Sequence, residues 1–201
     1  MEVYLDDAPL DIDAPDGSSL EQLTQQVSRR LRGTGRVITA VRCDGRTVPA
    51  DELECTLARP AREYGSIEFQ SSEVAGLVRA AMQEAGRLFI ESDRLRHKAA
   101  DLLNEAKSSR AMELLGQCFR IWSQVYETVL KGAQLRQVNL LAVDVPDVDV
   151  TAWLGLLADR LREVKGALEV GDHVLLADLL RYEFDDVSEQ WKRLLGHLAD
   201  G

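Results

Sequence analysis

A chain of 201 residues is long enough for one domain or two small ones, and 45% apolar with 29% charged residues is the make-up of a globular protein. With 34 acids against 24 bases the formal charge is −10; residues 1–71 hold 13 acids and 8 bases, leaving 21 and 16 beyond, so each part stands at −5. That balance argues against nucleic acid or an anionic membrane as the partner, since both demand a clustered positive surface.

The three cysteines, Cys43, Cys55 and Cys118, form no C-x-x-C pair and read as buried small hydrophobes in a reducing compartment. Met1 leads straight into the strand-like Glu2-Val3-Tyr4-Leu5, and nowhere do about eighteen apolar residues run together. The expected location is the cytoplasm.

Val3 and Leu5, then Leu10 and Ile12, alternate with polar neighbours around Asp7-Ala8-Pro9, which predicts a hairpin. Pro15-Asp16-Gly17 breaks the chain, and Ser18 or Ser19 caps a helix carrying Leu20, Leu23, Val27 and Leu31 to Gly33 and Gly35. Arg29, Arg30, Arg32 and Arg36 are the one basic run and suit a solvated helix end. Val37–Cys43 reads as a strand, Asp44-Gly45 as a tight turn, Thr47-Val48 as a short return strand and Ser66–Phe69 as a last strand.

This β-β-α-β-β-β order over residues 1–71 resembles the β-grasp fold of the ubiquitin-like family. The resemblance implies neither tagging nor sulfur-carrier chemistry here, because Phe69-Gln70-Ser71 continues into a helix where those proteins end in a free Gly-Gly tail. Arg42 also falls where ubiquitin's partners grip an apolar residue.

From Ser72 the apolar period changes from two to about three and a half. Val74, Val78, Ala81, Ala85, Leu88, Ser92, Leu95, Ala99, Leu102 and Ala106 mark one long helix, and Met112, Leu115, Phe119, Trp122, Tyr126, Val129 and Ala133 a second, capped by Ser108 or Ser109. Val150, Trp153, Leu157, Leu161, Val164 and Leu168 mark a third, and Leu176, Leu180, Phe184, Val187, Trp191, Leu194 and Leu198 a fourth. Gly171 and Asp172 read as a C-terminal glycine and a new N-cap, so the last two helices form a hairpin. The apolar segment between helices two and three, Gln137–Asp149, is expected to pack across one end of the bundle. The expected fold is therefore α+β: a β-grasp domain at 1–71 and an antiparallel four-helix bundle at 72–201.

No P-loop, dinucleotide fingerprint, H-E-x-x-H or nucleophile elbow occurs. His97, His173 and His197 lie far apart, the Glu-x-x-His pairs of a di-iron bundle are missing, and Gly171 separates Glu169 from His173. The acids Asp178, Glu183, Asp185, Asp186 and Glu189 read as a solvated face, and Trp122, Trp153 and Trp191 as core. No catalytic residue, metal or cofactor is expected. Leu175, Leu179 and Tyr182 lie off the main stripe of the last helix and widen its apolar surface, which makes them either the candidate partner-binding residues or a face covered by the 137–149 segment or the first domain.

The expected function is a non-enzymatic adaptor or chaperone whose bundle groove takes a partner protein's amphipathic helix. The stretch Ala167-Leu168-Glu169-Val170-Gly171-Asp172-His173-Val174-Leu175-Leu176-Ala177-Asp178-Leu179-Leu180, with Trp191 beyond it, resembles helical proteins associated with bacterial flagellar export chaperones. The alternatives are an enzyme or cofactor protein with its site in the bundle interior or at the domain interface, for which Glu169, His173 and Asp178 are the residues to substitute, and a structural homo-oligomer, such as a homodimer, built on the extra apolar face.

Overall fold

A computed structural model describes residues 1–12, 15, 17–143, 145–146 and 148–200. Asp16 of the expected chain break, and Asp144 and Asp147 of the long connection, lie outside the described residues. The chain divides into two compact units, Met1–Leu77 and Val78–Gly201, and is α+β: a five-stranded mixed sheet followed by helices.

In the first unit, β1 (Glu2–Leu5), β2 (Ala8–Pro9), β3 (Arg36–Cys43), β4 (Arg46–Thr47) and β5 (Ser66–Glu73) stand in the order β2-β1-β5-β3-β4. β1 and β5 run parallel and the other pairs antiparallel. Helix α1 (Leu20–Leu31) begins at Ser19, whose side chain accepts from the Gln22 backbone while the Gln22 side chain accepts from the Ser19 backbone. Its stripe of Leu20, Leu23, Val27 and Leu31 is buried with Val3, Val41, Cys43, Ile67 and Phe69 to form the core. Each such side chain contributes roughly 1.5–3 kcal/mol by leaving water. A short α2 (Leu53–Leu57) follows β4.

Three expectations change here. The β1–β2 turn falls on Asp6 and Asp7, both at positive φ, rather than on Asp7-Ala8-Pro9, because aspartate tolerates the left-handed region and proline can stand on an edge strand. β4 is Arg46–Thr47 rather than Thr47-Val48, although the Val48 amide still donates to the Val41 carbonyl. β5 runs on to Glu73: Asp6 Oδ1 accepts from the Ser71 amide (2.7 Å), Asp6 Oδ2 accepts from the Ser71 hydroxyl (2.6 Å), and Arg36 donates to Ser71 Oγ (2.8 Å). A polar strand end thus finds side-chain partners.

The helices are α3 (Val74–Asn104), α4 (Ser108–Arg136), α5 (Val150–Val170), α6 (His173–Asp178) and α7 (Asp185–Asp200). Asp149 caps α5 by accepting from the Thr151 and Ala152 amides, Gly171 closes it in the left-handed conformation, and Asp172 caps α6. That hairpin follows the sequence reading. The single last helix does not: a π turn, Leu179–Glu183, separates α6 from α7. A four-residue step overshoots an α-helical turn by about 40°, and Leu176, Leu180 and Phe184 make two such steps while all staying buried. The wider turn absorbs the excess. In the connection after α4, Val145 and Val148 are buried and Leu141 is exposed.

The inward seams of α3 and α4 are offset from the expected ones. On α3 they are Val78, Met82, Ala85, Phe89, Ser92, Arg96, Ala99 and Leu103, so every second member sits one residue later than expected. On α4, Ala111, Cys118 and Val125 are buried and Tyr126 is exposed. Cys118 burial pushes its thiol up to about 12; Cys55, expected to be buried, is exposed.

Candidate functional site

The corrected α3 seam places a charged side chain inside the helical unit. Arg96 is 1% exposed. Its Nη2 donates to Asp185 Oδ1 (2.7 Å), to Asp93 Oδ1 (3.2 Å) and to His97 Nε2 (3.1 Å), and its Nη1 donates to the backbone carbonyl of Leu180 in the π turn. Asp93 also accepts from the Ser188 hydroxyl (2.8 Å) and from Lys192 (2.9 Å). Beside it, Trp122 donates to Ser92 Oγ (2.9 Å). A buried guanidinium is tolerated because each carboxylate and carbonyl around it is matched. Burial alone would push Asp93 up; Lys192, Ser188 and Arg96 outweigh it and hold the carboxyl below its ordinary value. Burial and then the Arg96 charge lower the His97 pKa, consistent with a neutral ring whose Nε2 accepts.

These groups hold one another, and none of them is among the residues lining the hollows described below. Arg96 is a structural clamp on the π turn. The interior is therefore not wholly apolar, contrary to the sequence reading, and two acids assigned to a solvated face are engaged: Asp185 with Arg96, and Glu183 with Arg160 (2.5 Å).

Of the expected partner-binding residues, Leu175 and Tyr182 are exposed and Leu179 is buried, 6% accessible. All three line one hollow of about 600 Å3 with Gly166 and Ala167 of α5 and the charged Arg160, Glu163, Asp178 and Glu183. The α5 hairpin and the π turn create it: α6 brings Leu175, and the π turn brings Leu179 and Tyr182. A second hollow, lined by Leu156, Asp159 and Arg162, shares Arg160 and Glu163 with the first. That second hollow is lined by α5 residues alone, so the α5–α6 groove is the first one.

Gly166 was not singled out by the sequence. It lies in the interior of α5, where glycine costs about 1 kcal/mol relative to alanine, and a Cβ there would meet nothing within 4 Å. No contact within the unit requires it.

At the N-terminal end of α5, a hollow of about 510 Å3 is lined by Tyr126, Leu130, Val138, Leu141, Trp153 and Trp191 among others, with no charged side chain. Trp153 and Trp191 meet edge to face, centroids 4.8 Å apart. Among the described residues, no group of three or more His, Cys, Asp or Glu side chains is placed to hold a metal ion, and no helix is long and apolar enough to cross a membrane.

Residues 92–194, just over half of the chain, match the model of a domain of unknown function, DUF8042. The chain belongs to this family. The DUF8042 segment spans both the Arg96 clamp and the α5–α6 groove. Residues 1–73 match the model of the TP0873 N-terminal domain, so the first unit is similar to that domain. No curated protein matches the chain. No solved structure matches it either.

Proposed function

We propose that the protein is a non-enzymatic adaptor or chaperone that takes a partner's amphipathic helix in the α5–α6 groove. One observation carries this reading: the exposed Leu175 and Tyr182 and the buried Leu179 converge with Gly166 and Ala167 around a single open hollow. Apolar anchors at helical spacing against small residues suit helix-in-groove recognition. In the same reading the first unit is a ubiquitin-like β-grasp module, supported by the β2-β1-β5-β3-β4 order with its parallel β1–β5 pair. The helical unit is an antiparallel bundle whose last hairpin is of the export-chaperone type, and the protein works in the bacterial cytoplasm.

Affinity capture from the native cell tests this. The wild-type chain should retain one dominant protein, which Leu175→Asp with Tyr182→Asp loses; unchanged capture overturns the assignment of the groove. Self-assembly is a second reading, favoured by the uncharged hollow of Tyr126, Leu130 and Trp153. Light scattering separates the two, since a dimer dispersed by Leu130→Asp belongs to the second.

A further inference from the structure

We infer that the helix taken by the α5–α6 groove is a basic one, with lysine or arginine flanking its apolar stripe, and that Gly166 is the point where its backbone comes closest. This rests on the helix-binding reading and adds the chemistry of the partner. The groove's charge is lopsided: Arg160 is shared between Glu163 (2.8 Å) and Glu183 (2.5 Å), so one cation serves two carboxylates, and the exposed Asp178 adds a third acid on the same rim. A partner that covers the apolar floor would desolvate this rim and must bring positive charge to match it. An acidic helix would meet repulsion there.

Gly166 supplies the steric half of the inference. Its α position is unfavourable in an isolated helix, the space above it is empty, and it lines the same hollow as the apolar Leu179 and the acidic Asp178. A side chain there would stand in the groove.

The test uses the full-length protein and two synthetic helical peptides with the same leucine stripe, one flanked by lysines and one by glutamates, titrated at low and at high salt. The lysine peptide should bind at least about tenfold tighter at low salt, with the preference fading as salt screens the rim. Asp178→Lys should shrink that preference several-fold. Gly166→Leu should leave the urea midpoint equal or higher, leucine being the better helix former, yet weaken binding about tenfold or more. Equal binding of both peptides overturns the basic-helix inference and leaves helix binding standing. Neither peptide bound to a chain with native tryptophan fluorescence overturns both. Unweakened binding by Gly166→Leu overturns the close approach, and a self-associated protein dispersed by that substitution makes the occupant a second copy and overturns the proposal.

Discussion

Arg96 of α3 and Leu180 of the π turn meet inside the helical unit, the guanidinium donating to the backbone carbonyl. A π turn bonds five residues ahead instead of four and disturbs the helical ladder around it. Arg96 reaches into that disturbance and ties it to Asp93 and Asp185.

Arg96→Leu should therefore be severe. It strips the buried Leu180 carbonyl of its side-chain donor and takes the guanidinium from Asp93, which keeps Lys192 and Ser188, and from the exposed Asp185; an orphaned buried polar group costs about 1–3 kcal/mol. Arg96→Lys keeps the charge but loses the planar fork that serves several acceptors at once, so it should also destabilise, by less. Urea unfolding followed by tryptophan emission measures both, since Trp122, Trp153 and Trp191 all belong to the helical unit. A variant within about 0.5 kcal/mol of wild type, the range of ordinary surface substitutions, would remove the clamp from the account.

The same groups set the acid response in two steps. His97 has a folded-state pKa below its usual 6.5, by burial first and the neighbouring Arg96 next. Unfolding therefore takes up a proton, and stability present above about pH 6.5 declines as pH falls through the folded value. Asp93 is also held low, so its contribution is full above about pH 4 and is lost as pH falls through its depressed folded value. His97→Gln should flatten the first decline and Asp93→Asn the second. Urea midpoints measured from pH 8 to 3 read both; parallel curves for wild type and variants would contradict the assignment.

How much of this was legible is clearest on α3. Val78, Ala85, Ser92 and Ala99 were readable as inward because they are small or apolar. The alternate positions were assigned to Leu88 and Leu95, aliphatic residues that lie beside the seam half-buried, instead of Phe89 and Arg96. A polarity pattern cannot choose an arginine over a leucine for an interior site; the available hint was Asp93 three residues before Arg96, a spacing that lets the two pair on one helix face. The hairpin at Gly171-Asp172 was readable because glycine and aspartate each have a specific backbone role there. The groove was half readable: Leu175, Leu179 and Tyr182 stood off the stripe, but the α5 wall that completes it is a matter of packing.

Helix α4 approaches α3 closely at Gly132. A Cβ there would overlap the Met82 side chain and lie 3.3 Å from Val78 Cγ1. Gly132→Leu should cost about 1–3 kcal/mol through overpacking, and Met82→Ala in the same chain should recover part of it, because the two changes share one space. Additive losses in thermal unfolding would show that the helices separate instead.

In the first unit, Asp6 joins the β1–β2 turn to the far end of β5 through both the amide and the hydroxyl of Ser71, bonds that hold its carboxyl below the ordinary range. Asp6→Ala should lower the stability of this unit by about 1–3 kcal/mol, the penalty for orphaned polar groups. Hydrogen exchange at the Ser71 amide is the direct readout. Tryptophan emission should not change, as the unit contains no tryptophan.

The π turn also fixes the rotational phase of everything after it. Because it holds one residue more than the α turn it replaces, deleting Arg181 would let the ladder revert to ordinary α spacing with the phase of α7 kept. Val187, Trp191 and Leu194 would still face inward, so a single-codon loss at this place should be less damaging than the same loss inside α7, where it turns all later residues by about 100°.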